Sequence, residues 1–166
     1  TWVLPKLEPN TNYISYFKED SPTRIATEKV DSTFGGSQPL NVVVHGDLKN
    51  PDLLKKMRNF QDDIKNVKGV NNPISMVTLF RQENRALTDD KKENEVIPDT
   101  RNQIAQYLLL LEMSDKEMLE SYVTFDYKTS MIQMTMETMS STEQKAKVAE
   151  VRSMIDKHFG DKYEVE

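Results

Sequence analysis

The clearest pattern in the chain lies between positions 50 and 69. Leu53, Met57, Phe60, Ile64 and Val67 recur at the 3.6-residue period of a helix with one apolar face. Asn50-Pro51 supplies a helix start and Gly69 a stop. Just ahead, residues 40–45 (LNVVVH) form a β-branched run between Pro39 and Gly46-Asp47, which reads as a buried strand. Residues 70–74 behind the helix read as a short extended segment, so the stretch is a β-α-β unit. A similar succession returns near the end of the chain. Residues 122–127 and 130–139 read as two strands with a turn near Lys128. Ser140 to Thr142 then cap a helix through His158, with Val148, Val151, Met154 and Ile155 on one side. Gly160 stops it, and residues 163–166 alternate like a strand.

Between the two units the pattern is helical. Ser75 caps a helix with Met76, Leu79, Phe80 and Leu87 on one side; residues 88–95 (TDDKKENE) form a charged loop. A helix from Thr100 to Met113 carries the stripe Ile104, Tyr107, Leu108 and Leu111, and residues 114–120 make a short capped turn of helix. Residues 1–20 are irregular or extended, with Pro5 and Pro9 blocking a helix. Ser21-Pro22 opens a first helix in which Ala26, Val30 and Phe34 recur at i, i+4 and i+8, and Gly35-Gly36 ends it. Together these elements predict an α+β fold: a ferredoxin-like split βαβ sandwich of two β-α-β units with a helical insertion between them. Residues 1–38 are a lead-in segment and first helix. Residues 39–166 are one domain, with β-α-β at 39–75, the insertion at 76–120 and the second β-α-β at 121–166. Strands 40–45 and 130–139 are expected side by side. The crossover helices 51–68 and 142–158 are expected on one sheet face, because each carries one stripe and right-handed crossovers interleave that way.

Composition narrows the function. The chain has 166 residues, with 22 Lys and Arg against 27 Asp and Glu, a formal charge of −5. That argues against a nucleic-acid partner, which needs a basic surface. There is no cysteine, which removes disulfides, thiolate metal sites and thiol nucleophiles. No stretch approaches the roughly 20 apolar residues that span a bilayer, and no signal peptide is visible.

Candidate chemistry is sparse. His45 and His158 are far apart and have no partner at ligand spacing; they read as a strand-end and a helix-end residue. Gly35-Gly36 follows a helix rather than a strand, so it is a stop signal and not a phosphate cradle. Asp62-Asp63 and Asp89-Asp90 read as solvated surface. Nine methionines include Met131, Met134, Met136 and Met139. Thioethers bind Cu(I), but Ile132, Met134 and Met136 share one strand face, the arrangement of a core. The 104–111 stripe could line a hydrophobic path; packing on a sheet is the simpler reading. No catalytic, cofactor-binding or metal-binding residue is assigned, no cofactor is expected, substrate-binding residues stay unassigned, and the chain does not read as an enzyme.

Several stretches, in order, carry a resemblance. Tyr16-Phe17-Lys18-Glu19-Asp20-Ser21-Pro22 (YFKEDSP), FGGS at 34–37, PLNVVVHGD at 39–47, NPDLL at 50–54 and IPDT at 97–100 with the helix through Glu112 resemble the first large loop of RND-superfamily exporters of the MMPL, or hydrophobe/amphiphile efflux, type. The resemblance runs across nearly the whole chain. It implies an extracytoplasmic, periplasmic porter domain of a proton-driven exporter in the inner membrane, moving hydrophobic or amphiphilic molecules, including lipids. Its partners would be the transmembrane helices and second porter loop of the parent, with a homo-oligomer left open. The proton-relay acids of such proteins lie in membrane helices that this chain does not contain. The start at Thr1 and the short alternation at residues 163–166 lead to the expectation that the parent gene encodes apolar stretches on both sides. Two other readings compete: a docking module without its own ligand, and a heavy-metal exporter domain using the methionines. An apolar cleft between subdomains would favour a porter, a flat outer apolar patch a docking module.

Overall fold

The computed structural model describes residues 16–87 and 96–166. The elements run α1 (Pro22–Phe34), β1 (Gln38–His45), α2 (Pro51–Ile64), β2 (Val70–Ile74), α3 (Met76–Leu87), α4 (Arg101–Ser114), α5 (Lys116–Glu120), β3 (Thr129–Met136), α6 (Ser141–Phe159), a 3-10 turn (Gly160–Lys162) and β4 (Glu164–Val165). The fold is α+β. Its sheet has the order β2-β3-β1-β4, with every neighbouring pair antiparallel. β3 therefore lies between the parallel strands β1 and β2, and β1 between the parallel strands β3 and β4. That is the interleaving anticipated for two β-α-β units.

The period-2 alternation of the strands decides which side is covered. On β1, Val42 and Val44 are buried; on β3, Ser130, Ile132, Met134 and Met136 are buried. The register sets Val42 opposite Ile132 and Leu40 opposite Met134, so these side chains form one face. The opposite face carries Asn41, Val43, His45, Met131, Gln133 and Thr135, all exposed or half-buried. α2 contributes Leu53, Leu54, Met57, Phe60 and Ile64 to the core, and α6 contributes Val151 and Phe159. The two helices touch through the rings of Phe60 and Phe159, with centroids 5.7 Å apart. The buried side chains of the insertion, Met76, Val77, Leu79, Phe80, Ile104, Leu108 and Leu111, join the same core cluster.

Three helix starts have clear local causes. Asn50 accepts a hydrogen bond from the Asp52 amide at 3.0 Å, with proline next in line. Thr100 with Gln103 and Ser140 with Glu143 form full capping boxes. Ser21 precedes α1 in extended conformation with Pro22 in the first turn; the Ser21 side chain makes no cap bond, so the helix start expected at Ser21-Pro22 rests on the proline.

Other expectations need correction. Residues 122–127 are not a strand: Val123 makes an isolated bridge to Ser130, and the rest is a turn. Thr124 accepts from the Tyr127 amide and its own amide donates to the Thr129 carbonyl, while Tyr127 takes φ 55. These local bonds compete successfully with a ladder. β3 stops at Met136 and α2 at Ile64, both earlier than the sequence suggested. Leu87 is exposed rather than on the buried side of α3. The charged loop at 88–95 and the irregular lead-in at 1–15 lie outside the described residues.

β4 pairs with the C-terminal half of β1. Val43 and Glu166 exchange both backbone hydrogen bonds, at 2.7 and 2.9 Å, and Val44 and His45 pair with Val165 and Glu164. Since outward backbone groups alternate along a strand, Asn41 and Pro39 turn their backbone groups to the same side of β1 as Val43.

Candidate functional site

Three regions of the surface carry chemistry or shape. The first is a polar cleft of about 570 Å³ at the ends of β1 and β3, lined among others by His45, Asp47, Lys49, Arg101, Lys128 and Glu164. Asp47, just past the end of β1, takes a hydrogen bond from the Arg101 guanidinium and another from the Lys49 amide at 3.0 Å. Arg101 holds the Asp47 carboxyl below the usual range, against the opposing effect of burial. The Lys49 ammonium sits 4.9 Å from the centre of the Tyr127 ring. Burial, with the hydrogen bond to Glu112, pushes the Tyr127 phenol up to about 12. In this cleft Asp47 and Arg101 thus neutralise each other.

His45 is a strand-end residue, as its position in the sequence suggested. Its Nδ1 lies 3.1 Å from Thr129 Oγ1 and its Nε2 3.3 Å from Glu166 Oε1. This Thr–His–Glu string has the connectivity of a hydroxyl, a base and an orienting acid. Its acid end, however, stands in water: the Glu166 side chain is 74% exposed. A carboxylate so screened does little to fix or polarise an imidazole. Among the described residues, no group of three or more His, Cys, Asp or Glu is placed to hold a metal ion.

His158 lies in the last turn of α6. Its Nε2 is 2.9 Å from Asp63 Oδ2, and its ring meets Phe60 edge-on. Asp62-Asp63 is accordingly more than a solvated pair. Asp62 takes two hydrogen bonds from Arg81 at 3.0 and 2.7 Å, and Asp63 takes bonds from Lys157 and His158. Asp89-Asp90 lies outside the described residues.

The methionines divide as strand alternation predicts. Met134 and Met136 are buried beside Ile132, Met131 is on the opposite, half-buried face, and Met139 packs at the core margin near Gly69.

The second region is apolar. The stripe Ile104, Leu108, Leu111 of α4 is buried as expected, and Tyr107 packs edge-on to Phe80. The other side of the same helix was missed. Leu109 is 56% exposed and Met113 78% exposed, one turn apart, with Leu110 beside them. Phe125, at the tip of the turn before β3, is 88% exposed. These residues flank a groove of about 360 Å³ floored by Leu119 and Val123 and edged by Glu112, Lys116 and Glu120. A signal was present in the sequence. From Arg101 to Ser114 the only charged residues are Arg101 and Glu112, so polar residues cannot cover a whole outer face.

The third region is α1. No residue of this helix is buried, and Ile25, Val30 and Phe34 are exposed. Its C-terminal end is nonetheless tied down firmly. The Phe34 and Gly35 carbonyls accept from Asn72 and Asn71, Thr135 Oγ1 donates to Gly35, and Asp31 accepts from the Thr138 amide. Gly35-Gly36 ends the helix, as expected, and does something further. A Cβ on Gly36 would stand 2.4 Å from the Met136 backbone, so the glycine lets two chains meet.

Among the described residues, no helix is long and apolar enough to cross a membrane. No family model and no curated protein gives a significant match to this chain.

Proposed function

We propose that this chain is the porter domain of a membrane exporter of the RND kind, facing the extracytoplasmic side and working without catalysis of its own. Its cargo would be hydrophobic or amphiphilic molecules, lipids among them, and its partners the membrane helices and second porter loop of the parent. The observation that carries this reading is α1. A helix that buries none of its residues, yet is locked to β2 and β3 at one end, is suited to transmit force or position from a neighbouring part of a larger protein. Its exposed Ile25, Val30 and Phe34 would find their apolar partners there. The ordered motifs from YFKEDSP to IPDT supply the kind of parent. Met134 and Met136, enclosed in the core, favour this over a metal-exporter domain that offers thioethers to an ion.

The deciding observation is the parent reading frame. It is expected to encode an apolar stretch of about 20 residues before this segment and several after it. In the parent, Val30→Asp with Phe34→Asp should stop export while the domain still folds. Flanks with no such stretches would overturn the exporter reading. The second reading, a docking module with no ligand of its own, is favoured by the outer face of α4. It would then stand in its place.

A further inference from the structure

The geometry points to a specific occupant for the outer face of α4: a second copy of this chain, with the two α4 helices packed antiparallel about a twofold axis at Leu109. The face is too apolar to be idle. α4 is apolar inside (Ile104, Leu108, Leu111) and outside (Leu109, Leu110, Met113), and Phe125 shares the groove beside Leu109 and Met113. Contiguous exposed apolar surface of this kind marks a contact site.

The occupant follows from shape and charge. In an antiparallel pair centred on Leu109, each position meets its mirror position along the helix. Leu109 then faces the partner's Leu109, and the small Ala105 faces the long, adaptable partner's Met113. Gln106 faces the partner's Glu112, an amide opposite a carboxylate. Small meets large, the one carboxylate meets an amide that can donate to it, and no like charges oppose. A twofold contact needs such a self-complementary surface. Phe125, beside Met113 at the rim of its own groove, lies on the side where the partner's small Ala105 leaves room. An anionic lipid surface fits less well. The groove edge carries Glu112 and Glu120, and its one lysine, Lys116, is paired with Glu120 at 3.4 Å. This inference does not depend on the exporter reading, since it concerns the chain's contact with itself.

The chain has no cysteine, so an introduced thiol reports without background. Sedimentation equilibrium of the purified chain should show a reversible dimer. Leu109→Asp and Ala105→Trp should each weaken it at least about tenfold, or by 1.4 kcal/mol, with the monomer's circular dichroism and melting unchanged. Under mild oxidation Leu109→Cys should form a disulfide dimer many times faster than Ser153→Cys on the exposed side of α6, because only a residue on the axis brings its own copy within disulfide reach. A chain that stays monomeric at every concentration, or equal oxidation rates for the two cysteines, overturns the proposal. So does binding of dodecylmaltoside micelles that Leu109→Asp abolishes in a chain showing no self-association, which would assign the face to lipid. A parent frame without membrane helices would defeat the exporter reading and leave this one standing.

Discussion

At the scale of single residues, the same amino acid takes opposite roles a few positions apart. Met134 and Met136 face the core and Met113 faces water, and only the strand and helix periods distinguish them. The buried pair is packing material, and thioether flexibility makes it replaceable. Met134→Leu with Met136→Leu should cost less than about 1.5 kcal/mol per site by chemical denaturation. Tight Cu(I) binding that disappears in this double variant would contradict a packing role. Gly36 is not replaceable in this way. It adopts φ 124, and any Cβ would strike the Met136 carbonyl group. Gly36→Ala should destabilise by about 1–3 kcal/mol from backbone strain alone, and by more with the clash. A variant as stable as the parent chain would show that the α1–β1 junction moves freely.

At the scale of elements, α6 and α4 illustrate what capping and patterning each contribute. α6 begins at a closed capping box, with Ser140 accepting from the Glu143 amide and Glu143 answering at the Ser140 amide. Ser140→Ala should lose about 1 kcal/mol, a fall of roughly 2–4 °C in melting temperature for a domain of this size. An unchanged melt would mean that α6 is held by its packing alone. Most elements were legible because local pattern and final environment agree. The period of Leu53, Met57, Phe60 and Ile64 names a buried face, and that face is buried. Thr124 to Tyr127 misled because the alternation of β-branched and aromatic residues suits a strand, while the Thr124 and Asp126 side chains accept from the Thr129 and Lys128 amides and close a turn. The candidate contact face was legible only in negative. Leu109 and Met113 look like any other leucine and methionine, and it is the shortage of charge along α4 that sets them apart. The tie between Asp62 and Arg81 could not be read at all, since no local period joins positions on two different helices.

At the scale of the molecule, α2 is fastened to its surroundings by acids. Asp52 bonds Lys162, Asp62 bonds Arg81, and Asp63 bonds Lys157 and His158, which ties the helix to α3, to the end of α6 and to the turn beyond it. In each case the hydrogen bonds to the cationic partner hold the carboxyl below its ordinary value. A carboxyl depressed in the folded state stabilises it fully above the unfolded value, about 3.9 for aspartate. That stability is lost as pH falls through the lower folded values. The melting temperature should therefore drop below about pH 4, and Asp62→Asn should make the drop shallower. An equally steep drop in that variant would place the acid sensitivity elsewhere. The β4 side of β1 sets a limit of another kind. A sheet edge invites other strands to add on, the first step towards fibrils. On this side the backbone groups of Val43 are taken by Glu166, those of Asn41 come next, and Pro39 has no hydrogen to give. Whichever strand runs along it, the ladder loses its rung at Pro39, so templated pairing on this side cannot run on past Asn41.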